Sequence, residues 1–274
     1  DSWRSGICTG VTCVNHFYTK RNFWILSSLY SHISQNIKII LTSSSLNLSK
    51  LYRWRLNGKG GLLNGTLYIA STIQENSPFR VLRDKILDFT KALSSERKSV
   101  VSVSSTTKLL VADNSIDYIF TDPPFGANLQ YSELNFIQES WLKVKTNNKE
   151  EAVENKTWGK ELLDYANIMQ KCYTEYYRVL KPGHWITIEF SNTEAAVWNA
   201  IQLGLNRAGF VIANVASLDK KQGGFNAVTS PTAVKQDLVI SCYKPSETFT
   251  KQFMIQDSRA NRSEEHTSEL QSRP

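Results

Sequence analysis

The stretch Ser115–Phe125, SIDYIFTDPPF, decides how the rest of the chain is organised. Its apolar run, 116–120, is rich in β-branched and aromatic side chains, long enough for a buried strand and too short for a helix. Two consecutive prolines end that strand, because neither has an N–H to donate to a sheet. Gly126 then lets the chain turn away. The stretch therefore predicts a rigid loop at the edge where open α/β sheets bind their ligands.

The side chains of this loop suit methyl transfer to the exocyclic amine of a nucleobase. Such an amine is a poor nucleophile, because its lone pair is delocalised into the ring. The carboxylate of Asp122 and the carbonyl of Pro123 are placed to accept its two hydrogens and stabilise the charge that develops on nitrogen. Pro124 stiffens the loop, and Phe125 offers a surface on which a base extruded from the duplex stacks. We expect these four residues to form the catalytic site.

The motif TDPPF resembles the Asp-Pro-Pro-aromatic motif of DNA amino-methyltransferases, which modify adenine N6 or cytosine N4. The resemblance covers about Val100 to Pro245, and the chain as a whole is similar to prokaryotic adenine-specific DNA methylases. Three further stretches carry it: GANLQYSELNFIQESWL (126–142), RVLKPGHWITIEF (178–190) and VKQDLVISCYKP (234–245).

The resemblance implies S-adenosylmethionine as the methyl donor, DNA as the partner and a cytoplasmic location in a prokaryote. An Asp at the first motif position, here Asp122, is usual for adenine enzymes and favours adenine N6 over cytosine N4. For the cofactor, the resemblance suggests Asp122 itself, Glu75 for the ribose hydroxyls and Thr107 near the adenine ring. The family's Gly-x-Gly donor turn has no counterpart in this chain, and we expect it to lie upstream.

The fold that we predict is α/β, a doubly wound and mostly parallel Rossmann-like methyltransferase sheet. It ends in an antiparallel strand, as the resemblance implies, and lacks its first strand. Besides the strand before the prolines, the predicted strands are 66–70, 99–103, 184–190, 210–218 and 237–243. The predicted helices are 19–33, 77–93, 134–144, 159–180 and 193–208, with Phe79, Leu82, Ile86, Phe89 and Leu93 as the buried stripe of the second.

Three segments are predicted along the chain. Residues 1–64 form a helical and loop segment, 65–245 the methyltransferase domain, and 246–274 a disordered tail. Within that tail, RSEEHTSELQSR (262–273) looks like a translated sequencing adapter, and we set it aside. The polar stretches 42–49 and 146–157 are predicted to be loops, the second disordered until DNA is bound.

Composition supports a globular protein with a polyanionic partner. The 274 residues are 41% hydrophobic and 21% charged, and the net charge is +7. No apolar run approaches the roughly 18 residues of a membrane span. Cys8 and Cys13 resemble half of a zinc site, but Cys172 and Cys242 are isolated, so we expect no metal and reduced thiols.

Two other functions compete with DNA methylation. Because the donor turn is missing, the chain is alternatively a catalytically incomplete DNA-binding piece. It also fits an enzyme that methylates an RNA base or a protein glutamine amide, although amide enzymes typically carry Asn where Asp122 stands. The sequence leaves the oligomeric state open.

Overall fold

The apolar run before the two prolines forms a strand, as its length and side chains predict. The computed structural model describes residues 10–56, 60–93, 99–127, 129–192, 194–219 and 236–246. Its sheet has four strands, β1 (Ile116–Thr121), β2 (Leu180–Phe190), β3 (Val211–Asp219) and β4 (Gln236–Tyr243). Its longer helices are α1 (Lys20–His32), α2 (Lys38–Ser45), α3 (Pro78–Leu93), α4 (Tyr131–Leu142), α5 (Leu162–Val179) and α6 (Ala195–Ala208).

Two units make up the chain. One comprises Asp1–Ser102 with Ala127–Glu151, and the other comprises Val103–Gly126 with Ala152–Pro274. The predicted boundary after residue 64 does not coincide with this division. The reason is that Leu67 and Val81 pack in the same apolar cluster as the helices that precede them.

The strand order of the sheet is β1-β2-β4-β3. β1 runs parallel to β2, whereas β4 runs antiparallel to both β2 and β3. A parallel pair needs a crossover connection, and α5 lies in the chain between β1 and β2. The predicted α/β class with an antiparallel ending is confirmed, and the β1–β2 pair represents its parallel part within the described residues.

Alternating side chains of β2 and β4 form the core of the second unit. Ile186, Ile188 and Phe190 are fully buried, and Ile240 and Cys242 are buried with them on the paired strand. Alternate residues of a strand point to the same side, so these five form one layer. Helices α5 and α6 supply the other half of this core.

Lys244, just after β4, ties together three parts of the second unit. Its ammonium donates to the Leu180 carbonyl (2.8 Å), the Tyr177 carbonyl (2.7 Å) and the Asn114 side chain (2.6 Å). The residue is 8% exposed, and burial lowers the pKa of its ammonium, which makes these partners necessary. Asn114 has a φ of 50° and turns the chain into β1. The end of β4 therefore fixes the backbone just before β1.

In the first unit, the helix predicted from residue 19 is confirmed. The Thr19 hydroxyl accepts a hydrogen bond from the Asn22 backbone N–H at 3.2 Å, as an N-cap does. The predicted loop 42–49 is wrong, since α2 continues to Ser45 and a 3-10 turn follows it. Hydroxyls of this segment bond back to carbonyls three or four residues earlier, for example Thr42 to Lys38 at 3.0 Å. These bonds satisfy the polar side chains within the helix.

The strands predicted at 66–70 and 99–103 are absent from the structure. A strand needs a neighbour for its backbone groups, and near the first of these segments only isolated bridges form, from Arg53 to Gly61 and to Ile73. In the second segment Val100, Val101 and Val103 are at least 92% exposed. β-branched composition alone therefore misled both predictions.

Two further expectations are wrong. α3 has the predicted bounds, but within its predicted stripe Phe79 is 72% exposed and Leu93 is 82% exposed. Val81, which lies outside the predicted stripe, is the residue of α3 that packs against the apolar cluster of this unit. The described residues therefore leave Phe79 and Leu93 largely uncovered. The segment 146–157 is ordered, since it contains two short 3-10 turns and the fully buried Val153.

An ion-pair network holds the segment that leads to β1. The Glu175 carboxylate accepts hydrogen bonds from Arg178 at 2.8 Å and from the Leu109 backbone N–H at 2.7 Å. The Arg178 guanidinium also contacts Asp113 and the Val111 carbonyl. These hydrogen bonds lower the pKa of Glu175 to about 2. The network thereby joins α5 to the chain just before β1.

We predict a pH-dependent cost for Glu175→Gln. The folded-state pKa lies below the ordinary value of 4.5, so the stabilisation is complete above that value and is lost as the pH falls toward about 2. The free energy of unfolding, measured by urea denaturation, should differ most between variant and parent near neutral pH. The difference should shrink from pH 5 downward. Asp88→Asn, at an exposed position of α3, is the matched control. A difference that does not change with pH would contradict the prediction.

Candidate active site

The loop after β1 lies at the carboxyl end of the parallel pair. β1 ends at Thr121 and β2 ends at Phe190, and Thr121 pairs with Ile188. Because parallel strands point the same way, the residues that follow both strands emerge at one edge of the sheet. Asn192, two residues beyond β2, therefore reaches the loop.

Two buried or half-buried side chains hold the loop by its carbonyls. The Tyr165 hydroxyl donates to the Pro124 carbonyl at 2.7 Å, and Tyr165 is fully buried in α5. The Asn192 amide donates to the Phe125 carbonyl at 2.6 Å. The oxygen of the same amide accepts from the Glu194 backbone N–H at 2.7 Å. Two consecutive carbonyls are thus fixed from two different elements.

The ring of Phe125 is anchored on the core. It is half-buried and meets Phe190 edge to face, with 5.5 Å between the ring centroids and 84° between the ring planes. The sequence predicts this ring as a stacking surface for a base, and in the structure the loop also places it against the end of the sheet. The ring contacts the core and keeps part of its surface exposed.

The carboxylate of Asp122 is exposed, and within the described residues it makes no hydrogen bond or ion pair. Next to it, Thr121 lies 3.3 Å from the Tyr176 hydroxyl, which also bonds Thr106. The loop 105–107 is thereby connected to the end of β1. The fixed backbone of the loop positions the Asp122 carboxylate, which is open to an incoming group.

Gly126 closes the loop next to a second acidic group. Its φ is 83°, and a Cβ there would lie 2.7 Å from Oε1 of Glu154 and 3.4 Å from Nδ2 of Asn192. The Glu154 backbone N–H donates to the Gly126 carbonyl at 3.3 Å. Burial, and then the nearby charge of Glu194, raise the pKa of Glu154. The loop therefore turns against a carboxyl group whose pKa is raised above its usual value.

The other predicted cofactor residues have local partners. Glu75 belongs to the first unit, where it accepts a hydrogen bond from Thr19 at 2.5 Å and pairs with Arg21 at 3.3 Å. Thr107 belongs to the second unit, and its hydroxyl lies 2.8 Å from that of Ser105. Both side chains therefore already have a partner nearby, and their roles toward the cofactor stay predictions.

Sequence reasoning missed the residues that position the loop, namely Tyr165, Asn192 and Glu154. Asn192 carried a usable signal, because it follows a strand predicted to lie in the same sheet. Tyr165 falls on the apolar face of a predicted helix and looks like any core residue. Lys220, Lys221 and Lys235, which lie between the last two predicted strands, and Cys8 are outside the described residues.

Two further findings concern membrane-spanning helices and metal-binding side chains. In the described part of the chain, no helix is both long and apolar enough to cross a membrane. Among the same residues, no group of three or more His, Cys, Asp or Glu side chains is placed to hold a metal ion.

We predict that Gly126→Ala destabilises the protein more than Gly159→Ala does. Both glycines have positive φ, 83° and 66°, so each alanine costs about 1–2 kcal/mol of backbone strain. Only Gly126 faces a crowded Cβ position, since nothing lies within 4 Å at Gly159. Thermal denaturation of the two variants measures the difference. Equal melting temperatures would show that the Glu154 carboxylate moves aside at no measurable cost, and would contradict the prediction.

Several solved structures resemble parts of this chain. A Thermus thermophilus protein described as a DNA modification methylase, in complex with S-adenosyl-L-methionine, is 15% identical, with 53% of this chain and 54% of that chain covered and a TM-score of 0.32. The M1.HpyAVI–SAM complex is 13% identical over 47% of this chain and 44% of that chain, with a TM-score of 0.26. A Thermoplasma acidophilum protein described as a methyltransferase is 15% identical over 61% and 54%, with a TM-score of 0.32.

The chain spans about half the length of the first solved structures that it matches, 48% and 53%. No curated protein matches it.

A family model described as DNA methylase matches residues 116–273. The match begins at the first residue of β1 and includes the loop, α5, α6 and the whole sheet. It also runs through 247–273, which lies outside the described residues. Because the match covers more than half of the 274 residues, the chain belongs to the N6/N4 DNA methylase family.

Proposed function

We propose that this chain methylates the exocyclic amine of a DNA base that has left the duplex, with adenine N6 favoured over cytosine N4. The methyl donor is S-adenosylmethionine. One observation carries the proposal: the loop after β1 presents an exposed carboxylate while Tyr165 and Asn192 hold the two carbonyls beyond it. A fixed acceptor with an open approach is what an incoming amine requires.

The residues of the loop act on the amine. Asp122 accepts a hydrogen bond from the NH2 group, which favours a more tetrahedral nitrogen and stabilises the positive charge that develops there. The Pro123 carbonyl accepts the second hydrogen, since the carbonyls of Pro124 and Phe125 are already engaged. When bound, the donor supplies an electrophilic methyl group. The proton that the amine loses is taken up by Asp122 or by water.

The cofactor contacts of the chain are incomplete among the predicted residues. Glu75 and Thr107 have local partners, so Asp122 is the one predicted cofactor residue whose side chain is open. This observation favours the second candidate, a DNA-binding piece that does not turn over alone. Titration of the chain with labelled S-adenosylmethionine separates the two, because the enzyme must bind the donor and the incomplete piece does not.

We predict that Asp122→Ala lowers methyl transfer by about 10²-fold or more, because an acceptor aimed at the transition state is removed. The melting temperature should stay unchanged, since the carboxylate is exposed and makes no hydrogen bond within the described residues. Transfer of labelled methyl groups into adenine-containing and cytosine-containing duplexes measures the rate and the base preference. Asp117→Ala, on the same strand and paired with Lys181, is the control for a surface carboxylate. Full activity of folded Asp122→Ala would remove this residue from the mechanism.

We predict that Phe125 stacks on the extruded base with the part of its ring that the core leaves exposed. Base stacking is worth about 1–3 kcal/mol, so Phe125→Leu should weaken binding of the extruded base about 5- to 150-fold. Leucine keeps an apolar side chain against Phe190, and this swap should cost less stability than Phe125→Ala.

Fluorescence of 2-aminopurine at the target position reports the extrusion. Phe125→Tyr and Phe125→Trp should retain it, because both keep a ring face. If Phe125→Leu bound the extruded base as tightly as the parent, the ring would serve the core alone.

A further inference from the structure

The first unit contains a cleft that the methylation site does not use. Its volume is about 510 Å³, within the range of small-ligand sites. Three elements of this unit line it: the 3-10 turn Val14–Phe17, helix α1 and the end of α4. The residues that matter are Asn15, Phe23, Ser27, Tyr30, Trp141 and Lys143.

Aromatic rings form the walls of this cleft. Phe23 and Tyr30 lie seven residues apart on α1, with Ser27 between them, so the three share one helix face. The ring of Trp141 lies 6.0 Å from that of Phe23 and 5.7 Å from that of Tyr30, tilted by 48° and 50°. The indole N–H donates to the Tyr18 hydroxyl at 2.9 Å, which fixes the orientation of Trp141.

Two lysine side chains lie close to the ring of Tyr30. The Lys38 ammonium lies 4.1 Å from the centroid of the Tyr30 ring, and the Lys143 ammonium lies 5.9 Å from it. Lys143 ends α4 in the left-handed conformation, with a φ of 57°. Within the described residues no carboxylate forms an ion pair with either lysine. Lys143 lines the cleft and brings to it a positive charge that no described carboxylate pairs with, whereas Lys38 contacts the same ring but is not among the lining residues.

We infer that this cleft binds one unpaired nucleotide of the DNA, with its base against the aromatic walls and its phosphate at Lys143. This inference rests on the proposed function for the identity of the nucleic acid. An aromatic wall can stack on any base, and a lysine neutralises a phosphate. Each part of the nucleotide therefore has a matching group in the cleft. The lining residues include no acidic side chain that would repel a phosphate.

A nucleotide with its phosphate explains the cleft better than the methyl donor does. The sulfonium of S-adenosylmethionine is a cation, and the Lys143 ammonium in the cleft lining disfavours it. A phosphodiester neutralises this ammonium. The cleft is therefore a second contact for DNA, separate in chemistry from the amine site.

Binding of a fluorescent single-stranded oligonucleotide to the full chain, measured by anisotropy at several salt concentrations, tests the inference. Lys143→Gln should weaken binding and lower the slope of log K against log salt by about 0.7, the loss of one phosphate contact. Lys145→Gln, exposed and outside the cleft lining, is the matched control and should leave the slope unchanged.

A second variant tests the stacking. Ser27→Trp fills the cleft without removing a core side chain and should weaken binding about 5- to 150-fold. Ser31→Trp, one turn further along α1 and outside the lining, should bind as the parent does. Crosslinking with 5-iodouracil oligonucleotides should label Tyr30, Phe23 or Trp141 in the parent.

The outcomes separate this inference from the proposed function. If both Lys143→Gln and Ser27→Trp bound the oligonucleotide as the parent does, in a chain that methylates DNA, the cleft would not be a nucleotide site. The proposed methylation site would be unaffected by that result. Weaker binding by both variants, in a chain that does not methylate, would support the cleft while the proposed function fails. Competition by S-adenosylmethionine for the crosslinks would assign the cleft to the donor and overturn the inference.

Discussion

The parallel pairing of β1 with β2 is the constraint on which the site depends. Because both strands end at the same edge, a residue after β2 reaches a carbonyl after β1, and Asn192 does so at 2.6 Å. α5 must then run back over the sheet to connect the two strands, which brings the Tyr165 hydroxyl to the next carbonyl. One topological choice therefore supplies both hydrogen bonds that hold the loop. The two prolines restrict the backbone of the loop, and the pairing of β1 with β2 determines where the loop lies.

The strand and the proline loop were predictable from sequence, because local rules determine them. Two prolines end a strand wherever they occur, and a glycine with a positive φ follows them at Gly126. The contacts that sequence reasoning did not foresee depend on partners distant in sequence. Glu75 accepts a hydrogen bond from Thr19, 56 residues earlier, and nothing in the local sequence indicates that bond. Tyr165 positions the loop, yet its place on an apolar helix face gives no sign of that role.

Composition misled where polar or β-branched residues have an unexpected way to satisfy their backbone or side chains. The Ser- and Thr-rich segment after residue 41 is helical because its hydroxyls bond within the helix. The valines around residue 100 have strand composition but no neighbouring strand among the described residues. The excursion near residue 150 is polar in sequence, yet the buried Val153 orders it and so brings Glu154 to Gly126. Local hydrogen bonds decide the first case, and the absence or presence of tertiary contacts decides the other two.

Lys244 links the end of the sheet to the turn before β1, across 130 residues of sequence. Closing a loop of this length costs more entropy than closing a short one, so a contact of such long range forms slowly. On the ribosome, Asn114 is synthesised well before Lys244 leaves the exit tunnel. The turn that leads into β1 can therefore receive its Lys244 contact only after β4 has been synthesised. Until then, the loop after β1 can already bond Tyr165 and Asn192, while the turn before β1 lacks its tie to the end of the sheet.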